Sequence, residues 1–193
     1  FQLVRTGDIT EAWLGVPDAR IYEDEDGGHD TIILSSDWSG YVMPDYVEDL
    51  IADNSNAQDD RLTWDNKLDD TVLGVEVTGN FSNNYIKGSI VRDILRGGEG
   101  NDTIDAYFGE GDRLYGGNGD DTLILHFARE AKLYGGWGDD TYVLRQWTTD
   151  AADTIVESAG QGMDTIQVRG ANIDLNRSNL TAIENVTFSD DYE

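Results

Sequence analysis

Between residues 79 and 143 one large apolar side chain recurs at every ninth or tenth position: Ile86, Leu95, Ile104, Leu114, Leu123, Leu133 and Tyr142. This interval is far from the roughly 3.6-residue period of an amphipathic helix, and each of these residues has a polar neighbour on at least one side. Each reads as the middle of a short strand whose central side chain turns inward. The segments between them then supply bends, and the chain is expected to wind into a coil of two half-turns per 18 to 19 residues, burying the seven residues as a ladder. No amphipathic helix of three turns is predicted. The best helical candidate is a short segment from Tyr46 to Asp53, and the two prolines, Pro17 and Pro44, both fall in the first 50 residues.

The bends carry a pattern of their own. Gly97-Gly98-Glu99-Gly100-Asn101-Asp102-Thr103-Ile104-Asp105, Gly116-Gly117-Asn118-Gly119-Asp120-Asp121-Thr122-Leu123-Ile124 and Gly135-Gly136-Trp137-Gly138-Asp139-Asp140-Thr141-Tyr142-Val143 align without gaps as G-G-x-G-x-D-x-U-x, with U apolar and starts 19 residues apart. Weaker units lie in register. Gly79 to Lys87 has Asn84 at the sixth place, Gly88 to Arg96 has Asp93, Tyr107 to Tyr115 has Asp112, and His126 to Tyr134 keeps only Leu133. One edge of the coil is therefore rich in Gly and Asp and the other reads as degraded. Glycine reaches positive φ at little steric cost, so such a hexapeptide can bend sharply with its carbonyls aimed inward. Asp adds a hard anionic oxygen, and calcium takes about six to eight oxygens from carboxylates and carbonyls together. A single Gly-Asp bend would be an ordinary turn; three copies in fixed register point to a metal.

The nonapeptide resembles the calcium-binding repeat of RTX (repeats-in-toxin, hemolysin-type) proteins. The resemblance implies an all-β fold, a parallel β-roll or β-helix solenoid with flanking linking segments. Each calcium ion would be held between turns two repeats apart. In the family pattern one turn offers carbonyls at places two and four plus its Asp, and the next turn on that edge offers carbonyls at places one and three plus its Asp. Carried onto this chain, that implies one ion among Gly98, Gly100, Asp102, Gly116, Asn118 and Asp121. A second would lie among Gly117, Gly119, Asp121, Gly135, Trp137 and Asp140. A third, weakened by neutral Asn84, would use Asn80, Ser82 and Asn84 with Gly97, Glu99 and Asp102. Ala159 to Gln167 fits the nonapeptide with one Gly changed to Ala. It implies a fourth site of Gly136, Gly138 and Asp140 with Ala159, Gln161 and Asp164.

A longer duplication frames this block. Ile21-Tyr22-Glu23 followed by Gly28-His29-Asp30-Thr31-Ile32 returns 134 residues later as Ile155-Val156-Glu157 and Gly162-Met163-Asp164-Thr165-Ile166. Val47-Glu48-Asp49-Leu50 resembles Ile183-Glu184-Asn185-Val186. The expected organisation is a linking segment with degenerate repeats over 1–78, the calcium-binding block over 79–143, and a second linking segment over 144–193 that continues the coil. Glu25 to Ile33 fits a repeat around Asp30. Phe1 to Arg5 resembles Tyr142 to Arg145, so a further repeat is expected ahead of Phe1. Residues 51–78, with Asp59-Asp60-Arg61-Leu62-Thr63 and Asp69-Asp70-Thr71-Val72-Leu73, look like acidic bends followed by strands.

Charge narrows the function. Thirteen Lys and Arg against 39 Asp and Glu give a formal net charge of −26, which opposes nucleic acid and anionic membranes as partners. With 38% hydrophobic residues the chain is too apolar for a simple solvated tail, and its acids cluster where a cation would sit. The absence of Cys excludes thiolate metal sites and disulfides. No run approaches the roughly 18 apolar residues of a membrane helix, so membrane insertion by this chain is not expected. His29 and His126 adjoin no catalytic motif, and no enzyme activity is expected; His29 is expected in solvent and His126 in a turn. Five tryptophans (13, 38, 64, 137 and 147) are either apolar cover or a surface for a glycan or another surface ligand, with Trp137, whose place projects outward, the best candidate. The expected function is a calcium-binding module of a larger secreted bacterial protein, partnered by calcium ions and by neighbouring RTX repeats, which folds on calcium after export. A ligand- or carbohydrate-binding module of an adhesin or secreted enzyme is the alternative.

Overall fold

A computed structural model describes residues 3–5, 12–14, 20–22, 28–34, 40–52, 73–126, 130–145, 153–158, 160–169 and 182–189. Among them every regular element is a strand and every pairing is parallel. The chain alternates between two sheets, making a β-solenoid of about six turns. One sheet has nine strands: β2 (Ala12–Leu14), β4 (Thr31–Leu34), β6 (Asp49–Ala52), β8 (Tyr85–Lys87), β10 (Thr103–Asp105), β12 (Thr122–Leu125), β14 (Thr141–Leu144), β16 (Thr165–Arg169) and β17 (Asn185–Ser189). The facing sheet has six: β5 (Tyr41–Val42), β7 (Leu73–Thr78), β9 (Arg92–Glu99), β11 (Arg113–Asn118), β13 (Lys132–Trp137) and β15 (Thr154–Val156). A separate pair joins β1 (Leu3–Arg5) to β3 (Arg20–Tyr22). The hydrogen-bonded order runs across residues 78 and 143, so the segments on either side of the repeat block add strands to the same two sheets.

Register follows the nonapeptide. Ile104 pairs with Ile86 and Leu123, Leu123 with Tyr142, and Tyr142 with Ile166. On the other sheet Leu114 pairs with Leu95 and Leu133, and Leu133 with Ile155. All seven residues of the expected ladder are fully buried and belong to one core cluster. Alternation explains why the coil stays thin: along β11 and β13 burial switches residue by residue, so each strand gives the interior only every second side chain. The outer face has its own stack, in which Glu76 pairs with Arg96 at 2.9 Å, Arg96 lies over the Tyr115 ring, and Tyr115 stacks on Tyr134 with centroids 4.6 Å apart.

The linking segments obey the same geometry. Asp30 and Asp164, equivalent in the 134-residue duplication, are both buried, and each precedes a strand of the nine-stranded sheet. The backbone N–H of Asp30 donates to Glu48 Oε2 at 2.9 Å, and that of Asp164 donates to Glu184 Oε2 at 2.8 Å, so the duplication extends to hydrogen bonds. The short helix expected from Tyr46 is instead a turn leading into β6. Leu50 pairs with Ile32 and Ile86, and that sheet register outweighs any local preference for helix. Residues 53–72, including the acidic bends expected there, lie outside the described residues, as do Glu25 and Ala159.

Candidate metal centre

The sixth residue of each turn enters the next strand with its side chain inside. Asp102, Asp121, Asp140 and Asp164 are all at most 2% exposed. Each lends Oδ1 to the turn before it. The backbone N–H of Asn84 donates to Asp102 at 2.7 Å, that of Asp102 to Asp121 at 2.8 Å, that of Asp121 to Asp140 at 2.9 Å, and that of Asp140 to Asp164 at 3.0 Å. The other oxygen, Oδ2, of Asp102, Asp121 and Asp140 is buried with no hydrogen-bond partner. A buried anionic oxygen without a donor is costly; it either takes up a proton or faces a cation. In the absence of metal, burial pushes the carboxyl of Asp102 up to about 6 and those of Asp121 and Asp140 up to about 7.

The glycines bring the remaining oxygens to these carboxylates. A Cβ added to Gly97 would lie 2.1 Å from Asp102 Oδ2 and 2.7 Å from the carbonyl of Gly116; one added to Gly116 would lie 2.3 Å from Asp121 Oδ2 and 2.6 Å from the carbonyl of Gly135. At these two turns the place-one carbonyl oxygen of the following turn thus lies beside the orphaned oxygen of the preceding one. In the opposite direction, the carbonyls of Gly98 and Gly100 abut Gly117 and Gly119, and those of Gly117 and Gly119 abut Gly136 and Gly138. The carbonyls of Trp137 and Gln161 also point back, accepting from the N–H groups of Gly119 and Gly138 at 2.7 and 2.8 Å. Paired bends therefore present hard oxygens from both sides, the donor set that calcium prefers. The residues present fit the ion.

Gly117 shows how little room this approach leaves. Its φ is +126°, and an added Cβ would sit 2.1 Å from the Gly98 carbonyl oxygen, a backbone atom that cannot swing aside. Gly117→Ala is expected to lower the stability of the calcium-loaded chain by about 2 kcal/mol or more. At Gly40, also at positive φ but with no atom within 4 Å, the same change should cost only about 1 kcal/mol. Urea denaturation in saturating calcium measures both.

The turn of the weaker third site is built differently. Asn84 donates through Nδ2 to the carbonyl of Val47 at 3.0 Å, and its Oδ1 accepts from the N–H of Asn80 at 2.9 Å. Asn80 in turn donates to the carbonyls of Pro44 and Val47. Here side-chain amides add hydrogen bonds to carbonyls of the preceding turn, where the intact turns keep an unpartnered carboxylate oxygen.

Two features were only partly legible in the sequence. The edge read as degraded keeps an Asp ladder: the N–H of Val75 donates to Asp93 at 2.8 Å, that of Asp93 to Asp112 at 2.9 Å, and that of Ala131 to Asp153 at 3.0 Å. Asp112 is fully buried with Oδ2 unpartnered, and burial, helped by the charge of Asp93, holds its carboxyl well above the usual range. Glycine counts alone hid this, because the ladder needs only the sixth residue. The second feature is Glu157, which lies outside any nonapeptide register yet comes with Asp140 and Asp164 into one group whose ligand oxygens are all within 4.8 Å of one another. Its only sequence signal is its place in the 134-residue duplication.

The other candidates are peripheral. Trp137 is 61% exposed, as its outward place predicts. The side chains of the other four tryptophans lie outside the described residues. His29 is mostly exposed and meets Asp49 at 3.0 Å, whose hydrogen bond and charge raise its pKa; His126 sits in a bend against Asp105. Among the described residues no helix is long and apolar enough to cross a membrane.

The family profile of the RTX calcium-binding nonapeptide repeat (4 copies) matches residues 78–111, 110–125 and 132–144. No curated protein and no solved structure matches the chain. The unpartnered oxygens of Asp102, Asp121 and Asp140 thus lie within residues 78–144, the stretch in which the chain matches the RTX calcium-binding nonapeptide repeat.

Proposed function

We propose that this chain is a calcium-responsive folding module of a larger secreted protein, which stays loose where calcium is scarce and closes into its coil outside the cell. The observation that carries this reading is the row of buried, unpartnered Oδ2 atoms on Asp102, Asp121 and Asp140. At low calcium these oxygens, in a chain of net charge −26, repel one another and resist burial. Bound calcium supplies positive charge and coordination to the facing oxygens of two turns at once. Because those oxygens converge only in the coil, binding favours the folded state by mass action. Asp102, Asp121 and Asp140 with the carbonyls of Gly98, Gly100, Gly116, Gly117, Gly119 and Gly135 would form the inner sites. The module works by folding and stabilising its neighbours in the parent chain; its regularly placed carboxylates serve ion binding and turn over no substrate.

Far-UV circular dichroism during a calcium titration at pH 8 tests this. A coil-like spectrum in chelator should convert to a β spectrum at about 10⁻⁴–10⁻³ M calcium, the range of extracellular modules. Magnesium at the same concentration should fail, since it demands a tighter octahedron and gives up water reluctantly. An equally ordered spectrum with chelator and with calcium would refute the proposal.

A further inference from the structure

The two inner turns share a geometry that the last intact turn changes. Beside Gly97 the orphaned Asp102 Oδ2 faces the Gly116 carbonyl, and beside Gly116 that of Asp121 faces the Gly135 carbonyl. Beside Gly135 the orphaned Asp140 Oδ2 lies 2.2 Å from the position of an added Cβ, but its neighbours there, both at 2.4 Å, are Glu157 Oε1 and the Tyr142 hydroxyl. A carboxylate occupies the place where the earlier turns have a main-chain carbonyl. Asp140 is 1% exposed, Glu157 9% and Asp164 2%, and their ligand oxygens lie within 4.8 Å of one another.

Glu157 does not reach this place by accident of a flexible chain. It follows β15, whose Ile155 is fixed in the core against Leu133. Its Oε1 accepts from the N–H of Gly135 at 3.1 Å and from the hydroxyl of Tyr142. The Tyr142 hydroxyl also accepts from the Gly135 N–H at 2.7 Å. The two preceding turns carry Ile104 and Leu123 where this one carries Tyr142, so of these three turns this one alone sends a polar atom from the interior ladder to the metal edge.

We infer that Glu157 is a side-chain calcium ligand from outside the nonapeptide, which joins Asp140 and Asp164 in a three-carboxylate site at the end of the repeat block and makes it the first to fill. Tyr142 is its positioning residue. The inference rests on the calcium-responsive reading above and assigns an order within it. Three anionic ligands converge where each inner site has two, and ligand charge is a main determinant of calcium affinity. Filling from this end pins the last intact turn, against which the preceding turns stack.

Calcium titration calorimetry of the whole chain tests this with Glu157→Gln, Tyr142→Phe and, as a comparison, Asp121→Asn. The wild type should show a first equivalent about ten-fold tighter than the rest. In Glu157→Gln that equivalent should merge with the weaker class, while Asp121→Asn should retain it and lose later ones. Tyr142→Phe, which keeps every carboxylate, should weaken the first equivalent several-fold, and it carries the test should Glu157→Gln not fold. A wild-type isotherm reproduced by Glu157→Gln, or by Tyr142→Phe where Glu157→Gln does not fold, means that Glu157 merely fastens Gly135 and Tyr142, and overturns the inference alone. A wild type that binds no calcium overturns the folding proposal with it.

Discussion

Asp121→Asn should move calcium-dependent folding in one direction and calcium-free folding in the other. Asp121 stands in the middle of the three intact turns, and its carboxylate is assigned to both inner ions, so one substitution removes one charge from each of two sites. Loss of an anionic ligand from both is expected to raise the calcium midpoint roughly 100-fold, given that ligand charge governs affinity in such sites. Packing should survive. Asn keeps an Oδ1 to accept from the Asp102 N–H, the bond now made at 2.8 Å. Its amide nitrogen would replace the orphaned Oδ2, which faces the Gly135 carbonyl across Gly116. A donor aimed at a carbonyl then stands where two lone-pair oxygens now meet. At Asn84 the chain already carries an amide at the sixth place, there with Nδ2 donating to the Val47 carbonyl of the preceding turn at 3.0 Å and Oδ1 on the side of the Gly97 carbonyl. In chelator the variant should therefore be more ordered than wild type. Circular dichroism at matched pH, with chelator and across a calcium series, reads both effects. A variant less ordered than wild type in chelator would show that Asp121 is a structural hydrogen-bonding group first and a ligand second.

The features that the sequence announces are those repeated with a fixed period. The ladder from Ile86 to Tyr142 was readable because stacking a coil in register demands an apolar residue at each eighth place. Asp102, Asp121 and Asp140 were readable because the bend before them needs glycines at defined places, and those glycines occur in threes. What the period does not encode was harder to see. Glu48 and Glu184 do for their turns what Asp does elsewhere, with a side chain one methylene longer that spans the same gap. Asp112 keeps the ladder without the glycines, so its turn looked eroded although its sixth place is intact. Glu157 lies two residues before the nearest repeat start, and only the path of β15 brings it to Asp140. The segment from Tyr46 misled for a different reason. Its few apolar residues suit a helix or a strand equally, and only pairing with Ile32 and Ile86, distant in sequence, decides for the strand.

Protons and calcium should prove interchangeable in holding the coil together. The carboxyls of Asp121 and Asp140 are raised to about 7 and that of Asp102 to about 6, each first because burial penalises the charged form. In the unfolded chain the same groups titrate near 4. The folded state without metal therefore binds more protons than the unfolded state between roughly pH 4 and 7, and its stability falls as pH rises through that window. In chelator the chain should gain β structure when taken from pH 8 to pH 5.5, still above its pI of about 4.1, with the whole-chain repulsion of 39 acids easing in the same direction. In calcium the dependence reverses, because the ion must displace those protons: apparent affinity should drop by about ten-fold or more from pH 8 to pH 6. Near pH 7, calcium binding should release protons, visible as a binding enthalpy that changes with the ionisation enthalpy of the buffer. Asp121→Asn should release fewer. Should calcium affinity prove equal at pH 8 and pH 6, the carboxylates would already be ionised in the metal-free coil, and the orphaned oxygens between turns would need another source of stabilisation.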